Sequence, residues 1–461
     1  MKINFYKTLL LIVVAAIAFT SCKKTIEPPT PTGEGFESLQ VPDGFTWSTL
    51  NKTHFSVQIV DASGNQTDQI NGFPLDATDP QGNVLQRVTI LNGVAAYYLE
   101  LNRSIEEIRF HSPAHNIAQV INLKSDVKKF QLPPTLKAIK EYTDSDGDGV
   151  FNDFDDFPEN PDLAYRVFYP SPYRNSTLKS TDDTFQVWYY QMFEDLWPAK
   201  GDYDLNDLIL KLRMVVNFNA QNEWTSGSFS FYVWTNGAAL NLGCGIEFFD
   251  YLENVGDKLR LRYLYADQIE LVPGYTIQGE DPDVDNSFII FNNADAFKGI
   301  DYTNTGIGLS ANPMGDSLTF NYTVNPPTTW MAAFVYLYYT SDRGHEVRPI
   351  GLPPTIAGNW SLLGTGLDAS PTAAWNYTPG TDFLYPYDPP FFATEFGHPW
   401  GIELEFGGDL MVAFEQVSIL EAFPQFEDWA ESGGTVNTNW YEFPVADPTK
   451  VFDVSALVPS K

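Results

Sequence analysis

The residues best equipped for chemistry are carboxylates set at short, regular spacing. Residues 144–158 read Asp-Ser-Asp-Gly-Asp-Gly-Val-Phe-Asn-Asp-Phe-Asp-Asp-Phe-Pro, with six carboxylates inside 13 residues. Left bare, those charges repel one another. Calcium is a hard cation that takes six to eight oxygens at about 2.3–2.6 Å. Asp144, Asp146 and Asp148 offer oxygens at alternate positions, and Gly149 lets the chain turn sharply enough to wrap one ion. Val150 would add its backbone carbonyl, and Asn152 and Asp155 would close the loop from its ninth and twelfth positions. Pro158 follows and no pair of full helices flanks the loop, which argues against a helix–loop–helix calcium hand.

A second acidic cluster spans Phe193 to Leu208 and holds Glu194, Asp195, Asp202, Asp204, Asn206 and Asp207. In an extended chain Asp202, Asp204 and Asn206 share one side, because side chains alternate with a period of two. Glu194 and Asp195 can close on them from the preceding turn, giving a second oxygen cage. Residues 280–286 (Glu-Asp-Pro-Asp-Val-Asp-Asn) are as consistent with a solvated loop as with a third ion. Five histidines are scattered, and Pro113 between His111 and His115 prevents a helical zinc pair. Cys244 lies in an apolar stretch and reads as a buried small hydrophobe rather than a nucleophile. No nucleophile elbow, phosphate loop or dinucleotide fingerprint is present, so no catalytic residue is assigned. Paired carboxylates with Trp188, Tyr189, Tyr190, Trp234, Trp360, Trp375, Trp400, Trp440 and Tyr441 leave a glycan-binding or glycoside-processing role as the alternative.

The elements that must position these groups are strands. His54–Val60, Arg87–Leu91, Val94–Leu101, Ile105–Phe110 and Ile117–Leu123 are short alternating runs parted by turn residues, which predicts a small sandwich over 45–132. Residues 133–170 then form a linker carrying the calcium loop. Strands return over 171–445. Leu208, Leu210, Leu212, Met214, Val216 and Phe218 share one face, with Lys211, Arg213 and Asn217 on the other. Trp330–Tyr339 is nearly all apolar, as a strand buried on both faces would be. Phe423–Ser432, stopped by Gly433-Gly434, is the clearest helix, and 446–461 reads as a tail. The fold class is mainly β: a small N-terminal β-sandwich followed by a larger antiparallel β-sandwich.

The chain has 461 residues and a formal charge of −32, a field that repels phosphate backbones and argues against nucleic-acid partners. Lys2 and Lys7 precede an apolar run from Leu9 to Phe19, too short to span a bilayer comfortably. It ends in Phe19-Thr20-Ser21-Cys22, which resembles the lipobox of bacterial lipoproteins. That resemblance implies removal of 1–21, lipidation at Cys22 and membrane attachment through a flexible Pro/Thr/Gly tether over 22–44.

Two further resemblances follow from the acidic motifs. The order D-x-D-x-D-G-x-x-N-x-x-D-x-F-P resembles a thrombospondin type-3 calcium repeat, with Phe157 where many repeats carry cysteine. FEDLWPAKGDYDLNDL, after that loop, resembles the LruC-domain family of exported bacterial proteins. Asp162–Tyr165, Tyr169-Pro170, Gly344–Val347, Gly351 with Pro353-Pro354, Gly364–Gly366, His398–Trp400 and Ala422–Trp429 keep the family's order over about 144–445. The resemblance implies a β-rich, calcium-binding, envelope-associated domain with no established enzymatic activity. The expectation is a non-enzymatic, calcium-binding lipoprotein, lipid-anchored in the envelope at the outer membrane. It would present an adhesion or recognition surface to an extracellular protein or glycan.

Overall fold

A computed structural model describes residues 35–137, 140–171, 187–238, 240–264, 266–297, 317–372, 377–442 and 444–454. The proposed signal segment, the lipidation residue Cys22 and Trp375 lie outside the described residues.

Seven strands come first: β1 (Leu50–Val60), β2 (Pro74–Thr78), β3 (Val84–Thr89), β4 (Val94–Asn102), β5 (Glu107–Ser112), β6 (Ile117–Asn122) and β7 (Lys128–Gln131). They build a three-stranded sheet, β4-β1-β7, and a four-stranded sheet, β3-β2-β5-β6. Phe55 and Tyr97 of the first meet Phe110 of the second, with ring centroids 6.1 and 5.1 Å apart. Val57, Ile59, Leu75 and Leu99 complete that core. Reading alternation alone misses β2 and β7. All five residues of β2 are buried, so it has no polar face to alternate, and β7 has only four residues.

The second half contains β8 (Tyr165–Tyr169), β9 (Trp188–Phe193), β10 (Leu208–Phe218), β11 (Trp224–Asn236), β12 (Leu242–Val255) and β13 (Lys258–Tyr263). Next come β14 (Ile269–Leu271), β15 (Gly279–Glu280), β16 (Ser287–Phe291), β17 (Leu318–Thr328) and β18 (Met331–Tyr339). β19 (Asp342–Val347), β20 (Phe383–Tyr385), β21 (Gly401–Phe406), β22 (Met411–Ala413) and β23 (Val451–Asp453) end the series. Two short helices, α1 (Ile419–Ala422) and α2 (Phe426–Glu431), lie before the last strand.

One seven-stranded sheet runs β14-β17-β11-β10-β9-β21, with β8 also on β10. The other runs β15-β16-β12-β13-β20, with β18 on β12 and β19 on β18. Phe229 and Tyr322 of the first sheet pack on Phe248 of the second at 5.6 and 5.5 Å, closing a large antiparallel sandwich. The period of two in β10 explains its placement. Its even-numbered residues from Leu208 to Phe218 enter this core, while Lys211 lies over the Trp234 ring on the opposite face.

That opposite face is not left to solvent. Tyr190, Met192, Ile209, Trp234 and Leu404 form another core with α1, α2 and the segment entering β1. The expected tether over 22–44 is therefore wrong from residue 35 onward: Phe36 and Leu39 are buried there. Phe45 and Trp47, assigned to the small sandwich, join the same core, and Trp47 Nε1 donates to the Gly397 carbonyl at 2.8 Å. The tail is likewise part of the fold, since β23 pairs with β22 and Val454 is buried.

Candidate functional site

In the first acidic loop, glycines supply the turns and aspartates fasten them. Gly147 and Gly149 take φ of 81° and 100°, where a side chain would be strained. Asp144 Oδ1 accepts from Gly147 N at 2.7 Å and its Oδ2 from Gly149 N at 3.1 Å. Asp148 Oδ1 accepts from Val150 N, and Asp155 Oδ1 from Phe157 N, at 2.7 and 2.6 Å. One oxygen each from Asp144, Asp146 and Asp148 lies within 4.8 Å of the others. The Oδ2 atoms of Asp146, Asp148 and Asp155 are buried and lack a hydrogen-bond partner. Burial, with repulsion from Asp148 and Asp146, lifts the Asp155 carboxyl to about 6. Asp148 is raised too, mainly by burial.

Asn152 fastens the loop as the aspartates do. Its Oδ1 accepts from Ser145 N at 2.8 Å, closing the loop on itself. Val150 directs its side chain into the large core, beside Phe154 and Tyr165.

The loop sits at the seam between the two sandwiches. Phe151 packs on Phe73 of the small sandwich at 5.7 Å, and Arg87 Nη1 donates to the Phe154 carbonyl at 3.1 Å. Arg87 is held by Asp76 at 2.6 and 2.9 Å. Nearby, Thr89 and Asn222 exchange hydrogen bonds across the seam at 2.8 and 2.9 Å.

The second acidic cluster divides in two. Glu194, Asp202 and Asp204 each bring one carboxylate oxygen within 4.8 Å of the others. Asp195 and Asp207 lie side by side, Asp207 Oδ2 accepting from Asp195 N at 2.8 Å. Burial and mutual repulsion push Asp207 up to about 9, and Asp195, chiefly through burial, rises to about 6. Asn206 donates its side-chain amide to the Ala413 carbonyl at 3.1 Å. Burial, with Asp202 and Glu415 adding repulsion, lifts Asp204 to about 8, and burial holds Glu194 well above the carboxylate range. Tyr203 and Leu205 bracket Asp204 at φ of 58° and 54°. Non-glycine residues rarely adopt that conformation, which costs roughly 1–3 kcal/mol each.

Other expected groups have structural partners. Asp281 accepts from Tyr336 OH at 2.8 Å and Arg343 Nη2 at 2.7 Å. Cys244 is fully buried, and burial pushes its thiol up. Tyr189, Tyr190, Trp234, Trp400, Trp440 and Tyr441 are buried in the cores, which removes them as sugar platforms. Sequence reasoning missed a charged cluster at the seam, Lys52 with Glu100 and Glu403, whose members lie in distant segments. It also missed Gly201, where a Cβ would stand 1.9 Å from Glu194 Oε2. The local text carries no signal for either.

Residues 222–441, less than half of the chain, match the family model described as "Domain of unknown function (DUF4842)". No curated protein matches. A crystal structure described as a "putative lipoprotein from Bacteroides ovatus" aligns at a TM-score of 0.44 and 12% identity. The alignment covers 83% of this chain and all of that one.

Proposed function

We propose that this chain is a non-enzymatic, envelope-anchored lipoprotein whose two sandwiches are braced by calcium at the Asp144–Asp155 loop. The observation that carries this reading is the set of buried, unpartnered oxygens on Asp146, Asp148 and Asp155 at the seam. Such oxygens are costly unless something positive meets them. Asp144, Asp146, Asp148 and Asp155 supply hard-oxygen donors, the chemistry calcium prefers over softer ligand sets. The thrombospondin-like order of the loop and the LruC-like motifs after it support the same assignment. Attachment through lipid at Cys22, outer-membrane location and a recognition surface for an extracellular protein or glycan belong to this reading. The ion's role is mechanical: neutralising the loop keeps Val150 and Phe154 in the large core while Phe151 holds Phe73.

Thermal unfolding tests the reading. Calcium at a hundred times this loop's Kd should add about 2.7 kcal/mol from this site over EDTA, and Asp146→Ala should lose that contribution. Equal melting of wild type in EDTA, calcium and magnesium would remove the calcium assignment.

A further inference from the structure

We propose that Glu194, Asp202 and Asp204 form a second cation site, for a calcium-sized hard dication, which fastens the lead-in segment to the large sandwich. Three convergent carboxylates suit calcium, which takes six to eight oxygens, better than magnesium, which keeps several waters and is usually held by one or two carboxylates. The three carboxylates bring one oxygen each within 4.8 Å of the others, close enough for one ion to bridge. Glu194 supplies an independent pointer. Its side chain is fully buried; Oε1 accepts from Leu205 N at 2.8 Å, while Oε2 has no partner. Gly201 keeps the space around that oxygen open, because a Cβ would collide with it at 1.9 Å. A buried carboxylate oxygen held without a donor, beside two more carboxylates, asks for a cation.

The loop that carries these ligands also grips the segment leading into β1. Tyr203, between the two aspartates, stacks on Phe36 with centroids 4.3 Å apart and planes within 7°. Lys200 pairs with Glu37 at 3.0 Å. On the far side, the Tyr203 carbonyl accepts from Ile419 N and Asp204 Oδ2 from Gln416 N, both at 2.8 Å. An ion drawing Asp202 and Asp204 onto Glu194 therefore sets Tyr203, and through it Phe36 and the start of α1. The site stands on these residues alone. Its consequence for how firmly the tether end is seated rests on the anchoring proposed above.

The full chain in detergent, stripped with EDTA and reloaded with calcium alone or magnesium alone, provides the test. Bound metal is counted, and chymotryptic cleavage within residues 35–49 is timed. Calcium at ten times its Kd should slow that cleavage about tenfold in wild type. Glu194→Gln should carry one calcium fewer and lose the protection. Gly201→Ala, which keeps every carboxylate but crowds Glu194, should do the same and serves if the first variant fails to fold. Asp146→Ala should keep the protection; if its calcium count also stays at the wild-type value, the seam site fails and this one stands. Wild-type calcium content in both Glu194→Gln and Gly201→Ala overturns the proposal. Preferential loading by magnesium, or equal cleavage with and without calcium, also overturns it.

Discussion

Lys52 occupies a seat where carboxylates outnumber it. Its Nζ lies 3.2 Å from Glu403 and 4.0 Å from Glu100, while the buried Glu405 adds a third carboxyl to the group. Burial opposes the ammonium, yet Glu403 and Glu100 outweigh it and hold Lys52 above the usual lysine range. At Glu100 burial wins instead: only partly offset by Lys52, it raises the carboxyl from 4.5 to about 7. A carboxyl raised in the folded state binds more protons there than in the unfolded chain. Stability from Glu100 therefore falls as pH rises from 4.5 to 7 and is flat above, a loss on the order of 3 kcal/mol. Lys52→Met should strip the counterion and cost about 3–5 kcal/mol at pH 8, but clearly less at pH 5, where Glu100 is protonated. Urea unfolding at the two pH values checks this, and an equal cost at both would refute it. At this scale the sequence is informative only where the candidate groups are neighbours in the chain. Asp144, Asp146 and Asp148 announce themselves by spacing. Asp195, Asn206 and Asp207 look equally suitable, and the sequence does not show that Asp207 Oδ2 accepts from Asp195 N or that the Asn206 amide donates to the Ala413 carbonyl.

Elements show the same division between local and distant causes. The even-numbered residues of β10, the alternation of β13 and the apolar run of β18 are each readable, because a strand's period of two records which face is buried. The burial of the lead-in is not readable in this way. Phe36 and Trp47 sit in a Pro/Gly-rich stretch without alternation, and their partners Phe426, Trp429 and Gly397 lie more than three hundred residues away. Trp47 is fully buried, with its ring 6.0 Å from Phe426 and 6.1 Å from Trp429. Trp47→Ala should accordingly cost about 3–5 kcal/mol, the range for emptying an aromatic site in a packed core. A cost near zero in urea titration would mean that the segment is not seated as described. Trp188→Ala is a suitable control: that ring is only half buried, so its loss should cost less.

Across the whole molecule, the seam decides whether two sandwiches behave as one. The contacts that cross it include Arg87 to the Phe154 carbonyl, the Thr89–Asn222 exchange, Phe151 against Phe73, Tyr98 against Trp330 at 3.8 Å, His54 against Tyr251 and the Lys52 cluster. The acidic loop lies among these contacts, in a chain whose net charge of −32 opposes compaction. Monovalent salt screens that general repulsion over about 8–10 Å but does not ligate the buried oxygens of Asp146, Asp148 and Asp155. Two effects can therefore be separated. Raising sodium chloride in EDTA should increase melting temperature only modestly and leave the two sandwiches unfolding in separate calorimetric transitions. Calcium at low ionic strength should merge those transitions into one, because folded loop, ion and both cores then stand or fall together. Arg87→Met, which cuts a seam contact without touching a carboxylate of the loop, should restore the split in calcium while leaving calcium binding intact. A single transition in EDTA would show that packing alone joins the sandwiches, and the ion would then act locally, within its loop.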